Sequence, residues 1–582
     1  MKFYAADFES TTNPADCRVW GYGICEVGNK QNIQIGNSIN GFFKWCEENP
    51  DNSILYFHNL KWDGNFIISW LLNNGFKHTT ESKERASRTF NTLINSKGQF
   101  YSIEVIFKLK NKRINKVTFR DSLKLIPLSI EEIAKTFKMP YQKLEIDYAA
   151  HDNQPEGAPI TEAEKEYIKH DILIQATAIE FFHEQGLNKM TIGACALAEY
   201  KKLITDRKFN LFFPEPKSYH NNVKSTYKGG WCYVMPEVAE KTINGCGFVL
   251  DKNSLYPYVM KTCLMPYGTP IFFRGDYQPD ERYPLYIIQF QCQFELKPGK
   301  LPTLQSKEPL FYKGSEYLTS SDGQIVTLTL NSVDYELFRE HYKTYNLEII
   351  GGWKFRAAVG LFDGYIDKWN AIKIQAKEEN NPGLYLIAKL LLNSLYGKFG
   401  TSNIVRSKIP KLNDSGAVKY SDTEPKERKG IYIALASFVT AYGRQQTITA
   451  AQSIVDDYRA GRSDIQFLYS DTDSLHIFSP DGELPSGLDI DESRLGAWKI
   501  ETRFRKARYL RQKCYIQETA KETFNFDSDY YLKVVVAGMP SNCSEQVDFS
   551  NFKIGATYTD KKQPQIVPGG VVLNSIDFTI KR

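Results

Sequence analysis

The sequence predicts a multidomain protein of mixed α/β and α+β class. Its 582 residues are several times the usual domain length, and 42% hydrophobic with 24% charged residues is ordinary globular usage. The first ~190 residues alternate between short strand-like and helix-like runs, which is the pattern of an α/β domain. The remainder mixes strand hairpins, helices and two turn-rich stretches. We therefore expect an α/β domain followed by larger α+β parts.

Composition excludes several classes of protein. No uncharged apolar run approaches the ~18–20 residues of a membrane helix, and Asp7 and Glu9 interrupt the position where a signal peptide needs its apolar stretch. The ten cysteines never lie closer than eight positions, which argues against a zinc-type CxxC pair and favours a reducing cytoplasm. HExxH and GxxxxGK[ST] motifs are absent. The net charge of +5 suits a polyanion partner, but it also suits any slightly basic enzyme.

The elements of the first part can be justified in order. KFYAADFE and SILYFHNL are strand-like, and GNFIISWLLNNG has the length and the Asn-Asn-Gly ending of a helix. The best-defined helix begins at Thr161, where Thr161 and Glu164 form a capping box. It ends at Gly186, a residue type favoured just past a helix end.

Later segments predict strands that end in carboxylates. GFVLD (247–251) is strand-like, and IQFLYSDTDSLHIF (465–478) is predicted to fold as a two-stranded hairpin. KLLLNSLYGKF (389–399) is predicted to be a helix. Residues 263–360, rich in turns and short strands, and the polar residues 400–433 are predicted excursions from the compact fold, the second as a protruding basic hairpin. The tail from about 539 ends in a strand-like run.

A first set of carboxylates could hold metal ions. Asp7 and Glu9 lie two apart in a strand and leave the same face, and Asp171 shares a helical face with Tyr167, four residues before it. With Asp63 they could bind two divalent ions, while Tyr167 orients a water and Lys143 stabilises developing charge on a phosphate. Each acid taken singly is more often a solvated surface residue. Taken in order, DFE, NLKWD and YIKHD resemble the three motifs of proofreading 3′–5′ exonucleases over the first ~190 residues.

A second set lies in the remainder of the chain. Asp251 is placed at a strand end, and Asp471 and Asp473 at a hairpin tip, although DTD alone is also an ordinary polar turn. An EF-hand is excluded because His476 occupies the position where that loop needs glycine. Between these aspartates, one face of the 389–399 helix carries Lys389, Asn393 and Tyr396, which could bind a triphosphate and stack on a base. An amphipathic core helix with incidental polar residues would show the same pattern.

The order of these motifs carries a family resemblance. DKNSLYP, KLLLNSLYGK and YSDTDS resemble motifs A, B and C of family B DNA polymerases, KCY (513–515) resembles their lysine motif, and TAYGR (440–444) a primer-contacting one. YKGG (227–230), DSLKLIP (121–127), the compact length and the two insertions resemble the protein-primed replicases of small tailed phages, the phi-29 type. The resemblance covers nearly the whole chain, which is therefore identified as a member of that family.

The resemblance implies a domain order. It implies a ribonuclease-H-like 3′–5′ exonuclease domain followed by a right-hand polymerase with palm, fingers and thumb. The implied ranges are exonuclease 1–190, palm 191–262 and 434–538, insertion 1 263–360, fingers 361–399, insertion 2 400–433 and thumb 539–582. Insertion 1 is expected to contact the priming protein or DNA, and insertion 2 to provide strand displacement and processivity.

The resemblance also implies the metal and nucleotide sites. Each active site is expected to use two Mg²⁺ ions, with Mn²⁺ as a substitute. The polymerase ligands are Asp251, Asp473 and the Lys252 carbonyl, with Asp471 in support. The exonuclease ligands are Asp7, Glu9, Asp63, Asp171 and, less firmly tied to the motifs, Glu145, with Tyr167 and Lys143 in catalysis. The expected nucleotide-binding residues are Tyr256, Lys373, Lys389, Asn393 and Tyr396. Tyr385 departs from the family, because related phage enzymes carry a lysine there.

The expected DNA contacts form two sets. The single-strand ligands of the exonuclease are His58, Asn59, Phe66, Ser122, Leu123 and Tyr148. The primer-template contacts are Tyr227, Gly229, Gly230, Thr440, Arg444, Lys513 and Tyr515. The run RFRKARYLRQKCY (503–515) could instead be a solvated basic helix face.

The implied partners are primer-template and single-stranded DNA, dNTPs and a terminal priming protein, with a monomer acting in the cytoplasm of an infected bacterial host. Three alternatives remain open from the residues: a dedicated nuclease, a DNA-binding structural protein with decayed sites, and a reverse transcriptase. The intact Asp251 and Asp473 argue against the dedicated nuclease. Eight or more catalytic-type residues in the correct order argue against decayed sites, and a proofreading domain beside YSDTDS argues against the reverse transcriptase.

Overall fold

The computed structural model describes residues 2–49, 52–110, 113–215, 219–305, 317–525 and 528–581. The N-terminal part is built on a mixed sheet of eight described strands in the order β3-β2-β1-β4-β8-β7-β6-β5. β1 runs parallel to β4, and β4 parallel to β8. Its elements are β1 (Lys2–Ser10), β2 (Val19–Glu26), β3 (Asn29–Gly36), α1 (Ile39–Glu48), β4 (Ser53–Phe57), α2 (Asp63–Asn73), β5 (Lys77–His78), β6 (Thr89–Ile94), β7 (Phe100–Lys110), β8 (Arg113–Asp121), α3 (Ile130–Thr136) and α4 (Glu162–Glu184), with 3₁₀ turns at Ser82–Glu84 and Ser122–Lys124.

The predicted helices of this part are confirmed. α4 has the predicted capping box, in which the Thr161 side chain accepts from the Glu164 backbone and the Glu164 side chain accepts from the Thr161 backbone. It ends before Gly186, whose φ of +76° is a backbone conformation that glycine adopts without strain. α2 occupies the segment predicted from GNFIISWLLNNG. Because α4 packs against β1, it brings its inner face to the strand that carries Asp7 and Glu9.

A second sheet, antiparallel throughout, follows. Among the described residues it has seven strands in the order β23-β22-β21-β10-β20-β19-β9. The predicted hairpin at 465–478 is confirmed as β19 and β20, whereas the basic run 503–515 is strand, so its interpretation as a helix face is wrong. The elements from 192 to 262 are α5 (Ile192–Ile204), α6 (Asp206–Phe212), α7 (His220–Thr226), β9 (Cys232–Val234), β10 (Thr242–Lys252) and α8 (Leu255–Thr262). Those after 460 are β19 (Gln466–Asp471), β20 (Ser474–Phe478), β21 (Trp498–Arg511), β22 (Cys514–Ala520), β23 (Tyr530–Val536), α13 (Ser541–Ser544), β24 (Thr557–Val567) and β25 (Gly570–Thr579).

The first predicted excursion forms a sheet of its own. Its described strands have the order β11-β14-β12-β13, and α9 packs on them. The strands are longer than the short strands expected for 263–360, since β14 has 17 residues and runs on through Gly351 and Gly352. At Gly352 a Cβ would lie 1.8 Å from the Ile287 carbonyl oxygen, so the glycine permits close strand packing. The elements are β11 (Met265–Arg274), β12 (Leu285–Leu296), β13 (Val326–Asn331), α9 (Ser332–His341) and β14 (Tyr342–Ala358).

Two helices, a hairpin and a long buried helix complete the fold. α10 (Asp363–Glu378) and α11 (Pro382–Phe399) pack together, and α11 confirms the helix predicted at 389–399. The segment predicted to be a basic hairpin contains β15 (Ile404–Val405), β16 (Lys408–Leu412), β17 (Val418–Asp422) and β18 (Lys426–Glu427), in which β15 pairs with β18 and β16 with β17. α12 (Ile433–Arg459) then leads to β19.

The hairpin at 404–427 does not simply protrude, because its distal part is fixed on two sides. The Tyr420 hydroxyl donates to Asn65 Oδ1 of α2 at 2.8 Å, and the Tyr420 ring meets Phe100 edge to face. Ala417 bridges to Pro568, in the turn between β24 and β25. A cavity of about 420 Å³ lies among these parts and is lined by polar and apolar residues that include Asn59, Lys61, Trp62, Asn65, Lys408, Tyr420 and Val571.

Two large hydrophobic cores hold these parts together. One joins the outer face of the first sheet to β25, and the other joins α4 to α8, α11 and α12, so the N-terminal part packs directly on the helices of the remainder. None of the described helices is long and apolar enough to cross a membrane.

Candidate active sites

Three carboxylates converge in the N-terminal part. Asp7 and Glu9 come from one face of β1, as predicted, and Asp171 comes from α4; their ligand oxygens lie within 4.8 Å of one another. Asp63, the first residue of α2, is buried beside them and close enough to raise the pKa of Glu9. A strand and two helices therefore bring together four acids that are up to 164 positions apart in the sequence (171 − 7).

A lysine and two tyrosines border this carboxylate group. Lys143 Nζ donates to Asp171 Oδ2 at 2.6 Å and to the Tyr167 hydroxyl at 3.3 Å. The Tyr148 and Tyr167 hydroxyls share a hydrogen bond of 3.2 Å. Burial raises the pKa of Tyr167, as do Glu9 and Asp171, so its hydroxyl stays protonated. The predicted Lys143 and Tyr167 thus lie at the carboxylates.

The electrostatics of the group favour a bound cation. Burial, followed by the charge of Asp171, raises the pKa of Asp7 to about 7, and burial with the charge of Asp7 raises those of Glu9 and Asp63. Within the described part of the chain, Asp63 Oδ1 and Asp171 Oδ1 are buried without a hydrogen-bond partner. Buried, mutually repelling oxygens of this kind fit divalent ions, which prefer oxygen ligands and compensate their charge. Glu145 is solvent-exposed and is not one of these converging acids.

The predicted single-strand ligands differ in exposure. Tyr148 and Asn59 are exposed, whereas Phe66 is packed in the core. Ser122 is buried, shares a 3.0 Å hydrogen bond with His58 and accepts one from Gln175 at 2.9 Å. Burial lowers the pKa of His58 to about 4, so this network is neutral. The backbone N–H groups of Asn59 and Leu123 both donate to the buried Asp121 carboxylate, at 3.1 and 3.0 Å.

The second candidate site is a cavity of about 810 Å³ between the seven-stranded sheet and the α10–α11 pair. The carboxylates Asp251, at the end of β10, and Asp473, in the β19–β20 turn, line it from the sheet. The five predicted nucleotide-binding residues line it as well: Tyr256, Lys373, Lys389, Asn393 and Tyr396. The cavity therefore has carboxylates on one wall and cations on the opposite wall, which suits a metal-bound polyphosphate.

Backbone contacts hold the two aspartates together. The Lys252 N–H donates to the Asp473 carbonyl at 2.8 Å, next to the β10–β20 pairing of Asp251 with Ser474. Burial, followed by the charge of Asp251, raises the pKa of Asp473 to about 7. The Lys252 side chain lies over the Trp498 ring at 4.8 Å, and the residue is buried in the lining of the cavity.

Asp471 lies apart from this cavity. Both of its carboxylate oxygens accept from Lys513 Nζ, at 2.8 and 2.7 Å, which joins the two predicted residues into one ion pair. Tyr515 is buried and its ring packs against that of Tyr469. Asp471 and Lys513 thus form an ion pair outside the residues that line the cavity, although the charge of Asp471 still acts on Asp473.

Arg444 anchors the predicted 227–230 loop from inside the protein. Its buried guanidinium donates to the carbonyls of Lys228 and Gly229, at 3.1 and 2.7 Å, and pairs with Asp334. A Cβ on Gly230 would lie 2.5 Å from Thr472 Oγ1, so only glycine lets the loop meet the β19–β20 turn. Of the other predicted contacts, Thr440 is buried and bonded to the Ala436 carbonyl, and Tyr227 packs against Gly400.

Comparison with known proteins identifies the family. The sequence model of "DNA polymerase type B, organellar and viral" matches residues 46–158 and 150–483. The DNA polymerase of Bacillus phage phi29 is 42% identical over all of this chain and 99% of its own length. The structure superimposes on that of phi29 DNA polymerase complexed with primer-template DNA and incoming nucleotide substrates with a TM-score of 0.93, 42% identity and full coverage of both chains. The chain belongs to the organellar and viral type B DNA polymerases.

The predictions of family, fold class and enzyme class are confirmed. This type B polymerase has an exonuclease domain and palm, fingers and thumb domains, and it matches the phi29 group. The structure also superimposes on phi29 DNA polymerase complexed with single-stranded DNA, with a TM-score of 0.91 at 41% identity over both whole chains. Polymerases of this type use divalent metal ions, and the Asp7, Glu9 and Asp171 group suits them. The individual site residues and the domain boundaries stay predictions.

Several residues at the polymerase site were missed from the sequence. Lys499 pairs with Asp251 at 3.1 Å, and Glu501 is close enough to raise the pKa of both Asp251 and Asp473. Both belong to β21, whose pairing with β10 places Lys499 directly opposite Asp251. Asp334 and Asp121, which hold Arg444 and the exonuclease turn, were missed as well. The β10–β21 register joins positions about 250 apart and leaves no local signal for Lys499 or Glu501, whereas Asp121 opens DSLKLIP, one of the motifs already singled out in the sequence.

The carboxylates of this polymerase should make its stability depend on pH when no divalent ion is present. Asp7 and Asp473 keep their protons up to about pH 7 in the folded chain, whereas the unfolded chain loses them near pH 4. The folded state therefore binds more protons, and the melting temperature in EDTA should fall as the pH rises from about 5 to about 7.5.

Calorimetry in EDTA across that pH range would measure the effect. Asp7→Asn should flatten the slope, whereas Glu162→Gln on the exposed face of α4 should leave it unchanged. Mg²⁺ should raise the melting temperature more at about pH 7.5 than at about pH 5, because protons compete with the ion for the same oxygens. A melting temperature that rises with pH in EDTA would contradict this account.

Proposed function

We propose that the chain is a replicative, DNA-directed polymerase of phage DNA that proofreads its product, displaces the strand ahead and starts from a protein primer. The observation that supports this most directly is the 810 Å³ cavity with Asp251 and Asp473 on one wall and three predicted nucleotide-binding side chains, Lys373, Lys389 and Tyr396, on the other. A separate carboxylate group around Asp7 supports the second activity.

In the proposed nucleotidyl transfer, Asp251, Asp473 and the Lys252 carbonyl would hold two Mg²⁺ ions, for which Mn²⁺ could substitute. When bound, the ions activate the primer hydroxyl and neutralise the triphosphate. Lys389 and Lys373 bind the phosphates, and Lys373 is held by its hydrogen bond to Ser254 Oγ at 3.1 Å. The Tyr256 and Tyr396 rings, with centroids 4.3 Å apart, form the wall against the sugar and the nascent base pair, so that a 2′-hydroxyl meets Tyr256.

In the proposed proofreading reaction, Asp7, Glu9, Asp63 and Asp171 would hold two Mg²⁺ ions, which would supply an activated water. The Tyr167 hydroxyl orients that water, and Lys143 stabilises the charge that develops on the scissile phosphate. Glu145 remains a weaker candidate, because it would have to move in from an exposed position. Tyr148 and Asn59 contact the frayed strand, while His58, Phe66, Ser122 and Leu123 shape the surface below it.

The primer-template is proposed to run past the 227–230 loop. Gly229 and Gly230 let the backbone approach the phosphates, and Tyr227 routes the primer between the two active sites. Lys513, with Tyr515 packed beneath, binds the primer end and Asp471 keeps the ammonium in place. Arg444 and Thr440 are buried and act indirectly: Arg444 holds the 227–230 loop through its carbonyls, and Thr440 bonds to the backbone of α12. Solved relatives bound to primer-template DNA and to single-stranded DNA support this path.

The proposed priming partner is a small protein whose side-chain hydroxyl accepts the first nucleotide. Insertion 1 offers it exposed apolar residues, with Phe272 55% and Leu347 46% exposed. The enzyme would work as a monomer in the cytoplasm of the infected bacterium. Mixing the chain with the product of a small neighbouring gene and labelled dATP or another dNTP should label that product, and labelling must require Asp473.

The proposal as a whole is tested by primer extension. The purified chain should extend a labelled DNA primer on a single-stranded DNA template with dNTPs and Mg²⁺, and should shorten a labelled single strand when dNTPs are absent. Shortening without extension would support the alternative, a dedicated nuclease with a DNA-binding second half. Equal extension on RNA and DNA templates would instead favour a reverse transcriptase.

Deleting residues 402–428 should remove strand displacement and leave gap filling on a short template nearly intact. The hairpin is basic and lies against both α2 and the β24–β25 turn, so we propose that it encloses the DNA and separates the strand ahead through sequence-independent phosphate contacts. Product length on a primed circle with excess unlabelled competitor DNA measures this effect.

A point variant tests the same role in case the deletion variant does not fold. Lys411→Ala with Lys419→Ala keeps the hairpin and should shorten products on long templates, whereas Lys521→Ala, at an exposed position after β22, should not. Full-length, strand-displaced products from the deletion variant would refute the proposed role of the hairpin.

A further inference from the structure

One lysine of the polymerase cavity, Lys499, lies on the same wall as the carboxylates Asp251 and Asp473. Lys373 and Lys377 reach the cavity from α10 and Lys389 reaches it from α11, opposite Asp251 and Asp473. Lys499 reaches the same cavity from β21, the strand beside Asp251. No motif or family resemblance assigned it a role.

Lys499 is held in place by Asp251. The antiparallel register sets the two residues directly opposite each other, and Lys499 Nζ lies 3.1 Å from Asp251 Oδ2. This ion pair places the Lys499 ammonium beside the Asp251 carboxylate in the lining of the cavity. The Lys499 side chain is 34% exposed, which leaves the charged end within reach of the cavity.

The four ammonium groups repel one another. Burial lowers the pKa of Lys373, and the next contribution is the charge of Lys499, ahead of those of Lys389 and Lys377. Several cations in one partly buried cavity are unfavourable unless an anion of several charges lies among them, and a triphosphate is such an anion.

The ion pair with Asp251 cannot persist in the working site. Once the Asp251 oxygens serve as metal ligands, the Lys499 ammonium faces like charge where it had its partner. Glu501, two positions along β21, lies within electrostatic range of Lys499, and a triphosphate in the cavity would be a second anion within reach of its flexible stem. Tyr385 of α11 lines the cavity, lies within electrostatic range of Lys499 and contributes no charge where related phage enzymes have a lysine.

We propose that Lys499 is a nucleotide-binding residue, which holds Asp251 in the free enzyme and binds the triphosphate of the incoming dNTP in the loaded enzyme. It supplies from β21 the cation that α11 lacks at Tyr385. This inference rests on the proposed polymerase function. The polymerase function and the role of Lys499 can be refuted independently. If Asp473→Ala still incorporates dNTPs, the proposed polymerase site is wrong, and this result does not depend on Lys499.

Steady-state kinetics and a binding measurement test the role. Lys499→Met, which keeps the aliphatic stem, should raise KM for dNTP about tenfold and change kcat less than about threefold, since one charge-assisted contact is lost. The dNTP concentration that forms a ternary complex with a dideoxy-terminated primer-template in Ca²⁺ should rise by about the same factor. Lys499→Arg should remain near the parent enzyme, and Lys521→Met is the matched control. Persisting degradation of single strands shows that a variant is folded.

A second-site variant separates phosphate binding from the positioning of Asp251. Adding Tyr385→Lys to Lys499→Met returns a cation to the cavity from the other wall, so it should restore KM to within about threefold of the parent value. An unrescued defect would overturn the proposal, because Lys499 would then act only by holding Asp251. An unchanged KM in Lys499→Met, or a lower kcat with unchanged dNTP binding in Ca²⁺, would overturn it as well.

Discussion

Replacing Asp473 by alanine is expected to abolish dNTP incorporation while single-strand degradation continues. Asp473 lines the 810 Å³ cavity and its backbone carbonyl accepts from the N–H beside Asp251, so its carboxylate is the proposed second half of the metal site. Loss of a catalytic metal ligand costs several kcal/mol of transition-state stabilisation, which corresponds to a rate lower by about 10³-fold or more. Primer extension with a labelled primer measures the loss.

The control is another aspartate near the same strands. Asp464 is exposed on the loop before β19, and Asp464→Ala should extend the primer at the parent rate. Because the exonuclease uses different carboxylates, both variants should shorten a labelled single strand equally fast. Extension by Asp473→Ala at the parent rate would remove Asp473 from the metal site and with it the proposed role of the cavity.

The converse result is expected for Asp7→Ala combined with Glu9→Ala. Both side chains leave one face of β1 and, with Asp171, place oxygens within 4.8 Å of one another, so the double variant removes two of the three converging acids. Single-strand degradation should fall by about 10³-fold or more, while primer extension on a matched template stays at the parent rate. Extension from a mismatched 3′ end should become more frequent, because the mismatch is no longer removed.

A matched pair of acids controls for lost charge. Glu162 and Glu166 lie near the start of α4, the helix that carries Asp171, and pair with Lys165 and Lys169 at its surface. Their double replacement by alanine should leave degradation unchanged. If the Asp7 and Glu9 variant still degrades a labelled strand at the parent rate, proofreading resides elsewhere in the chain or in a different set of ligands.

Local patterns in the sequence predicted the elements that carry the carboxylates. The capping box of α4, the alternation of β1 and the β19–β20 hairpin each follow from residues a few positions apart, so Asp7, Asp171 and Asp473 could be placed on the right elements. The resemblance to family motifs then grouped these elements into two sites. Each of these predictions rests on residues that are close together in the sequence.

Contacts between distant segments could not be predicted. Lys499 acquires its role only through the register of β21 on β10, and Arg444 only through Asp334 and the 227–230 loop. The same holds for the hairpin, whose Tyr420 meets Asn65 355 positions away. A predicted surface segment is thereby tied into the body of the protein, because a tyrosine and a partner amide meet by tertiary packing that no local pattern encodes.

The double anchorage of the hairpin bears on how DNA would be loaded and released. If DNA runs through the 420 Å³ cavity between α2, Tyr420 and the β24–β25 hairpin, as proposed, a strand could leave by sliding along its own axis, whereas sideways departure would require the Tyr420–Asn65 hydrogen bond and the Phe100 ring contact to open together. The same opening would admit a strand without free ends, such as a circle. The same contact would therefore set both the rate at which a closed circle is captured and the rate at which bound DNA is released. Weakening the contact should speed both steps, so faster capture would come with a shorter residence time on DNA.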